Sequence, residues 1–292
     1  MTMKNIFYFV GAAVLIVGAF IVGFFSEVDD RGVPIYTTGQ YPASFFDGAW
    51  KQTEGDSVGA TSGLSAHHLL IAKDMATVFR AMASNDVKTV VLVSPNHFGR
   101  GRGVAQMSMG SWKTPNGSIV ESDGRAIEKI LRAVRFVRHD ETAFTDEHGI
   151  YGLMPFVAKA FPNARVVSIV LTESLSADTA WQLGETIATQ LPSAVLVASV
   201  DMTHYHDALY TAANDARVLT LIENAGMCGD VPCTEDLDID SNASLRVLFG
   251  FNHTRGTTDW HLTHHGSSLS MSAAKTAADN TSHILGYFLS NK

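Results

Sequence analysis

The chain has 292 residues, is 46% hydrophobic and 17% charged, and carries a formal net charge of −8. That length suits one large α/β domain or two small ones, and it can bury a substantial core. The acidic balance argues against nucleic acid as a partner, because phosphate binding needs clustered Lys and Arg. The densest basic stretch, GRGR at 99–102, is too small for a nucleic-acid face and would suit only a small anion.

An uncharged apolar segment of 20 residues runs from Ile6 to Phe25. About 20 apolar residues are enough to cross a membrane as a helix, so residues 1–25 are predicted to form a transmembrane anchor. Lys4 precedes the segment and EVDDRG follows it, which places the soluble part outside the cytoplasm. A cleaved signal peptide is the alternative, but its apolar region normally spans about 7–15 residues before a small-residue cleavage motif.

Residues 26–58 contain turn formers without a sustained period and are predicted to be a linker, so that the folded domain spans 59–292. Three apolar, β-branched runs predict buried strands at 88–95, 164–171 and 193–200. Helical patterns alternate with them, at 71–84, 123–134, 177–190, 207–225 and 243–251. This order predicts a three-layer α/β fold, with a largely parallel or mixed sheet between helices.

The chain has two cysteines, Cys228 and Cys233, in the stretch MCGDVPC. Gly229 and Pro232 lie between them and would allow a small loop closed by a disulfide in an oxidising compartment. Two unrelated thiols are the alternative. A metal site made by these cysteines alone would lack further ligands nearby.

Polar side chains that can bind a metal follow several predicted strands or precede helices. They are His67, His68, His97, Glu147, His148, Asp201, His204, Asp240 and His265. Ligands of α/β sheets bind beyond the carboxyl ends of the strands, which is where His97 and Asp201 fall. Imidazole and carboxylate suit divalent iron, zinc or manganese, and a histidine outside the metal sphere can move protons. Each signal is weak alone: Glu147 and His148 could simply cap a helix, and Asp240 lies in an acidic run.

Five motifs together resemble the MEMO family, also called AmmeMemoRadiSam system protein B. They are AHHLL, VSPNHFG, DEHGIYGLMPF, VASVDMTHYHD and the late GSSLS, in the family's order and approximate spacing over residues 59–289. The family resembles the class III extradiol dioxygenases in fold. The resemblance therefore implies the same three-layer α/β fold, a metal site and dioxygenase-like chemistry.

By motif, the resemblance places the family's metal-binding histidines on His67 and His97. A cysteine supplies a third ligand in family members, and Asp240 stands at that position here. Either Asp240 replaces the thiolate, which would give a two-histidine, one-carboxylate set of the kind that holds non-haem iron, or the metal loses a ligand. The resemblance also implies that His204 is the acid/base residue, oriented by Asp201.

One of these motifs departs from the family pattern. Glu147 and His148 match the first two residues of the family's EHS element. In this chain Gly149 stands where the family usually has the serine. His68 and His265 are expected to lie in or beside the cleft. We expect iron(II) as the cofactor, with zinc or another divalent metal as the alternative.

Three functions remain open at this stage. The first is a membrane-tethered, iron-dependent redox enzyme acting on a small-molecule substrate. The second is a non-catalytic binding or scaffold protein that retains the fold, since fold does not dictate activity. The third is a zinc hydrolase that uses the same ligands and an activated water.

Overall fold

A computed structural model describes residues 28, 32–39 and 41–291. The predicted anchor over 1–25 lies outside these residues. Within the described residues, no helix combines the length and apolar character needed to span a bilayer.

The described strands are numbered here in chain order. They are β1 (Ile35–Thr37), β2 (Ser62–Ser65), β3 (Thr89–Pro95), β4 (Ala105–Ser108), β5 (Ser111–Lys113), β6 (Ile119–Val120), β7 (Val137–His139), β8 (Arg165–Leu171), β9 (Val195–Ser199), β10 (Met227–Cys228), β11 (Val231–Pro232), β12 (Asp259–Ser267) and β13 (Ser282–Leu289). The predicted strands correspond to β3, β8 and β9, and each begins one or two residues later than the sequence indicated.

The described α-helices are α1 (Ala43–Lys51), α2 (Ala72–Met82), α3 (Gly124–Ala133), α4 (His148–Tyr151), α5 (Met154–Ala160), α6 (Ala177–Gln190), α7 (Ala208–Glu223) and α8 (Asn242–Arg255). The five predicted helices correspond to α2, α3, α6, α7 and α8. Asp123 caps α3 as expected, since its side chain accepts a hydrogen bond from the backbone N–H of Ala126.

One mixed sheet of eight strands forms the centre of the described part, in the order β12-β13-β2-β9-β3-β8-β4-β7. The middle strands β2, β9, β3 and β8 are parallel, while β12, β13 and β4 introduce antiparallel pairs. The buried residues form two clusters, one on each face. Helices α3, α6 and α8 cover one face, and α1, α2 and α5 cover the other. The predicted three-layer α/β architecture is therefore confirmed.

The segment predicted to be a linker contains two elements of the fold. Strand β1 pairs with β5 in a separate small sheet, and α1 inserts Phe46 and Ala49 into the core. Helix α1 is short and lies between turn-forming residues, which is why no sustained period was visible in the sequence. The folded unit therefore begins well before residue 59.

Helix α8 follows the loop that contains Asp240. The backbone of α8 packs directly against the backbone of α6. A Cβ at Gly184 would lie 2.1 Å from the carbonyl oxygen of Val247, and one at Gly250 would lie 2.2 Å from that of Trp181. The two glycines therefore let the helix backbones touch. This packing fixes the start of α8 relative to the sheet.

Candidate metal centre

Three neighbouring parallel strands bring candidate ligands to one edge of the sheet. His67 follows β2 by two residues, His97 follows β3 by two, and Asp201 follows β9 by two. Because β9 lies between β2 and β3, the three side chains meet beyond the carboxyl ends of the strands. Asp240 joins them from the loop before α8, where its backbone N–H donates to the carbonyl of Asp201 over 3.2 Å.

His67 is buried and presents one ring nitrogen to this cluster. Its Nδ1 pairs with the hydroxyl of Ser199 at 3.0 Å. Its Nε2 lies 3.1 Å from Oδ2 of Asp240 and 3.5 Å from Oδ2 of Asp201. A partner at Nδ1 that leaves Nε2 facing a carboxylate is the arrangement of a histidine ready to bind a metal.

His97 also has a partner at Nδ1 and an Nε2 that faces Asp240. Its partner at Nδ1 is a carboxylate. Its Nδ1 lies 2.5 Å from Oε1 of Glu147, and its backbone N–H donates to Oε2 of Glu147 over 2.9 Å. Its Nε2 lies 3.8 Å from Oδ2 of Asp240. Glu147 also caps α4 by accepting from the N–H of Gly149. Capping and support of the site, which the sequence offered as alternatives for Glu147, therefore coexist.

Asp240 is the carboxylate that both imidazoles face. Its Oδ2 accepts a hydrogen bond from the N–H of Asp201 over 3.0 Å. Its Oδ1 is buried and finds no partner among the described residues. A buried carboxylate oxygen is costly without a donor or a cation, so this set of donors fits a divalent metal ion.

In this cluster the carboxylates raise the pKa values of the two imidazoles, and the imidazoles lower the pKa of the Asp240 carboxyl. Burial lowers the pKa of His97, but the nearby carboxylates of Asp240 and Glu147 outweigh burial and raise it to about 9. Burial likewise opposes the charge of His67, yet Asp201 and Asp240 raise its pKa. Burial would raise the pKa of Asp240, but His67 and His97 hold it well below its usual range. The metal-free cluster therefore holds protons where a metal ion would bind.

His148 completes a group of three imidazoles with His67 and His97. One nitrogen from each lies within 4.8 Å of the others, and the rings of His148 and His97 have centroids 4.0 Å apart. Burial, followed by the charges of His97 and His67, lowers the pKa of His148 to about 4. His148 is therefore neutral at physiological pH.

Gly149 has a steric reason to be glycine. A Cβ there would lie 1.9 Å from Oγ of Ser94 and 3.1 Å from Cε1 of His97. The Ser94 hydroxyl therefore occupies the space that the side chain of the family's serine would enter.

His204 lies in the cleft, but Asp201 does not orient it as the resemblance implied. The Nδ1–H of His204 donates to the carbonyl oxygen of Met202 over 2.7 Å. The Asp201 carboxylate instead accepts from the backbone N–H of His67 and faces the His67 ring. A main-chain carbonyl thus fixes the His204 ring, which lines both cavities of the cleft.

His265 is also placed differently from the prediction. Its Nε2 lies 3.0 Å from Oδ2 of Asp215, a buried carboxylate that accepts hydrogen bonds from Thr203 and Ser282. This network does not line the cleft.

His68 points away from His67, towards a residue that the sequence did not single out. Its Nδ1 lies 3.0 Å from Nε2 of His283, the second residue of β13. Nothing in the alternating stretch SHILGYFL marks His283 as other than a core residue. Only the pairing of β13 beside β2 brings it to the site.

Two adjoining cavities open at this centre, with volumes of about 370 and 970 Å³. Both are lined by His67, His148, Asp201, His204 and Tyr205. The smaller cavity has aromatic walls, which include Tyr41, Phe46 and Tyr151. The larger one is bordered by polar and charged side chains, which include Glu173, Asp236, Asp238 and Arg246.

The fold and the cleft together define an α/β protein with clustered imidazoles and carboxylates that could hold a metal ion. Residues 66–276 match the family model described as Memo-like protein. The chain therefore belongs to the Memo-like family, which confirms the resemblance seen in its motifs.

The chain is also similar to curated proteins of the MEMO1 family. The chain is 30% identical over 239 residues to a MEMO1 family protein of Pyrobaculum aerophilum, covering 78% of this chain and 84% of the relative. It is 31% identical over 186 residues to one of Caldivirga maquilingensis, covering 62% and 66%. It is 34% identical over 148 residues to one of Methanothermobacter thermautotrophicus, covering 48% and 53%. The matches thus span about half to two thirds of the last two relatives.

Among solved structures, the chain resembles an uncharacterized protein from Escherichia coli K12. The TM-score is 0.50 at 12% identity, covering 77% of this chain and 98% of that one. At such low identity the likeness shows the fold alone.

Proposed function

We propose that the chain is a non-haem iron enzyme whose metal is bound by His67, His97 and Asp240. One observation carries the proposal: both imidazoles have their Nδ1 paired and their Nε2 turned towards the same carboxylate. That carboxylate has a buried oxygen without a protein partner in the described part of the chain. His67, His97 and Asp240 would hold iron(II), which would supply redox chemistry towards dioxygen and a substrate when bound.

His204 is proposed to carry protons for the reaction. Its Nδ1–H is held by the Met202 carbonyl, so its Nε2 can accept a proton from a hydroxyl group bound in the cleft. The neighbouring aromatic side chains Tyr41, Phe46 and Tyr151 suit a flat, apolar substrate body. An aromatic diol-like small molecule meets both requirements.

Metal analysis combined with oxygen uptake tests this function. The full-length chain, purified without added metal, is expected to contain iron and to consume oxygen when an aromatic diol is supplied. Zinc without oxygen uptake would favour metal-assisted hydrolysis instead. Protein that neither retains nor takes up a metal would favour a binding or scaffold role.

We further propose that this domain is tethered to a membrane and lies outside the cytoplasm. The support is the apolar segment Ile6–Phe25 together with the Cys228–Cys233 disulfide, which is formed in the structure. Carbonate extraction of cell membranes is expected to leave the chain in the pellet, with both thiols oxidised. Recovery in the soluble fraction with free thiols would contradict the proposal.

A further inference from the structure

A second group of side chains that could hold a metal ion lies beside the first. It consists of His68, Asp201 and His283, and one ligand atom from each lies within 4.8 Å of the others. His283 and Asp201 are buried, while His68 is half-buried and lines the smaller cavity. The group is thus closed on the protein side and open towards the cleft, as metal sites that bind a substrate are.

The spacing of the two imidazoles suits a shared ion. Nδ1 of His68 and Nε2 of His283 are 3.0 Å apart. Two nitrogens bound to one tetrahedral zinc at roughly 2.0–2.1 Å stand about 3.3 Å apart, so a shift of a few tenths of an ångström would admit the ion. Without an ion the two nitrogens share one proton.

Asp201 is a buried carboxylate with few partners. Within residues 41–291 it accepts one hydrogen bond, from the backbone N–H of His67 over 3.2 Å, and its Oδ2 lies 3.5 Å from Nε2 of His67. An ionised carboxylate offers about four lone-pair positions, and burying it without compensation is costly. Asp201 also belongs to the group that contains His67 and Asp240, so it is the member that the two groups share.

Two imidazoles, those of His283 and His264, each have one ring nitrogen without a hydrogen-bond partner among the described residues. Nδ1 of His283 and Nε2 of His264 are buried and have no partner in the part of the chain that the structure describes. Their ring centroids are 6.4 Å apart, and His264 contacts Asp74 at 3.4 Å. The polar network around Asp215, by contrast, is closed by Thr203, Ser282 and His265.

From these contacts we propose a second divalent-cation site formed by His68, His283 and Asp201, in which Asp201 lies between this site and His67 of the first site. Two imidazoles and one carboxylate select a transition metal such as zinc or iron over calcium or magnesium. The proposal does not depend on the reaction at the first site.

Zn²⁺ titration of the full-length chain, stripped with chelator, tests the proposal, with bound metal counted by mass spectrometry after desalting. The wild type is expected to hold two equivalents. His68→Ala and His283→Ala should each hold one, and His97→Ala should hold one because it affects only the first site. Asp201→Asn should weaken both. His261→Ala is the matched control, since that imidazole lies at the surface against Asp259, and it should keep two.

A wild type that binds a single equivalent, lost on His97→Ala, would overturn the second site and leave the first intact. Two equivalents retained by both His68→Ala and His283→Ala would also overturn it. One equivalent that survives His97→Ala but not His68→Ala would support the second site and contradict the first. His283 is fully buried, so circular dichroism accompanies each variant, and the half-buried His68 gives a substitution less disruptive to the core.

Discussion

Glu147 holds His97 by two atoms at once, accepting from its ring Nδ1–H over 2.5 Å and from its backbone N–H over 2.9 Å. Glu147 is itself fully buried and anchored at the start of α4. The carboxylate therefore fixes the tautomer and orientation of the ring, and leaves Nε2 to face Asp240. Such outer partners are what keep a metal-binding histidine in place.

Glu147→Gln is therefore expected to weaken metal binding at the first site by roughly 10- to 100-fold. The amide can accept one of the two hydrogen bonds but cannot supply the negative charge. Competition with a chromophoric chelator measures the affinity. Asp146→Asn is the matched control, because Asp146 is exposed and faces Arg100. Equal affinities for Glu147→Gln and wild type would show that the contact does not support the site.

Metal binding is expected to strengthen with rising pH. Burial lowers the pKa of His97, but Asp240 and Glu147 outweigh it and raise the value to about 9, so the metal-free ring is charged at pH 7.5 and must lose its proton on binding. The apparent affinity should rise up to about pH 9. Calorimetry in buffers of different ionisation enthalpy should detect close to one proton released from this residue. Heats independent of the buffer would contradict this.

The raised pKa of His97 should also make the metal-free protein less stable as the pH rises, whereas metal binding becomes stronger. A raised folded-state pKa stabilises the fold fully below the ordinary value of 6.5, and the contribution disappears as pH rises through about 9. Urea unfolding of chelator-treated protein at pH 6 and pH 9 measures this. In His97→Ala the loss between these pH values should be smaller than in the wild type. If the wild type and His97→Ala lost the same amount of unfolding free energy between pH 6 and pH 9, groups other than His97 would be responsible.

Much of the fold followed from the sequence, because buried parallel strands are continuous in Val, Ile and Leu. Helix α1 was missed, since nine residues between turn formers carry little periodic signal. The site was only partly predictable. His67, His97 and Asp240 stood out at element ends, whereas His283 is one histidine inside an ordinary core strand. Its place beside His68 depends on the antiparallel pairing of β13 with β2, which no local pattern encodes.

The steric account of Gly149 predicts a non-additive pair of substitutions. Gly149→Ala should reduce the free energy of unfolding by about 1–3 kcal/mol, because the new Cβ meets the Ser94 hydroxyl. In a Ser94→Ala background the cost should be smaller, since the Oγ at 1.9 Å is gone and the Ser94 Cβ lies 3.2 Å away.

Gly124→Ala is the control for this pair. It lies at the first position of α3, where a Cβ would have 3.9 Å of clearance from Met109, so the change should be neutral or stabilising. Urea unfolding of the four proteins of the cycle gives the coupling energy. Strict additivity of Gly149→Ala and Ser94→Ala would contradict the contact.

The disulfide between Cys228 and Cys233 closes a short loop, with a sequence separation of 5. Loop-closure entropy for so small a ring corresponds to about 2 kcal/mol of stability. Replacing both cysteines by serine should lower the unfolding free energy by about that amount. Reducing agent should destabilise the wild type but not the double variant. If reductant destabilised the wild type and the double variant equally, the disulfide would not be the source of this stability.

The central claim is that His67, His97 and Asp240 hold one metal ion. An anomalous difference map at the iron edge, from crystals of protein loaded anaerobically with iron(II), tests it most directly. A peak is expected within bonding distance of the Nε2 atoms of His67 and His97 and of the Asp240 carboxylate. A map without a peak between these three side chains, from crystals whose bulk protein contains iron, would contradict it.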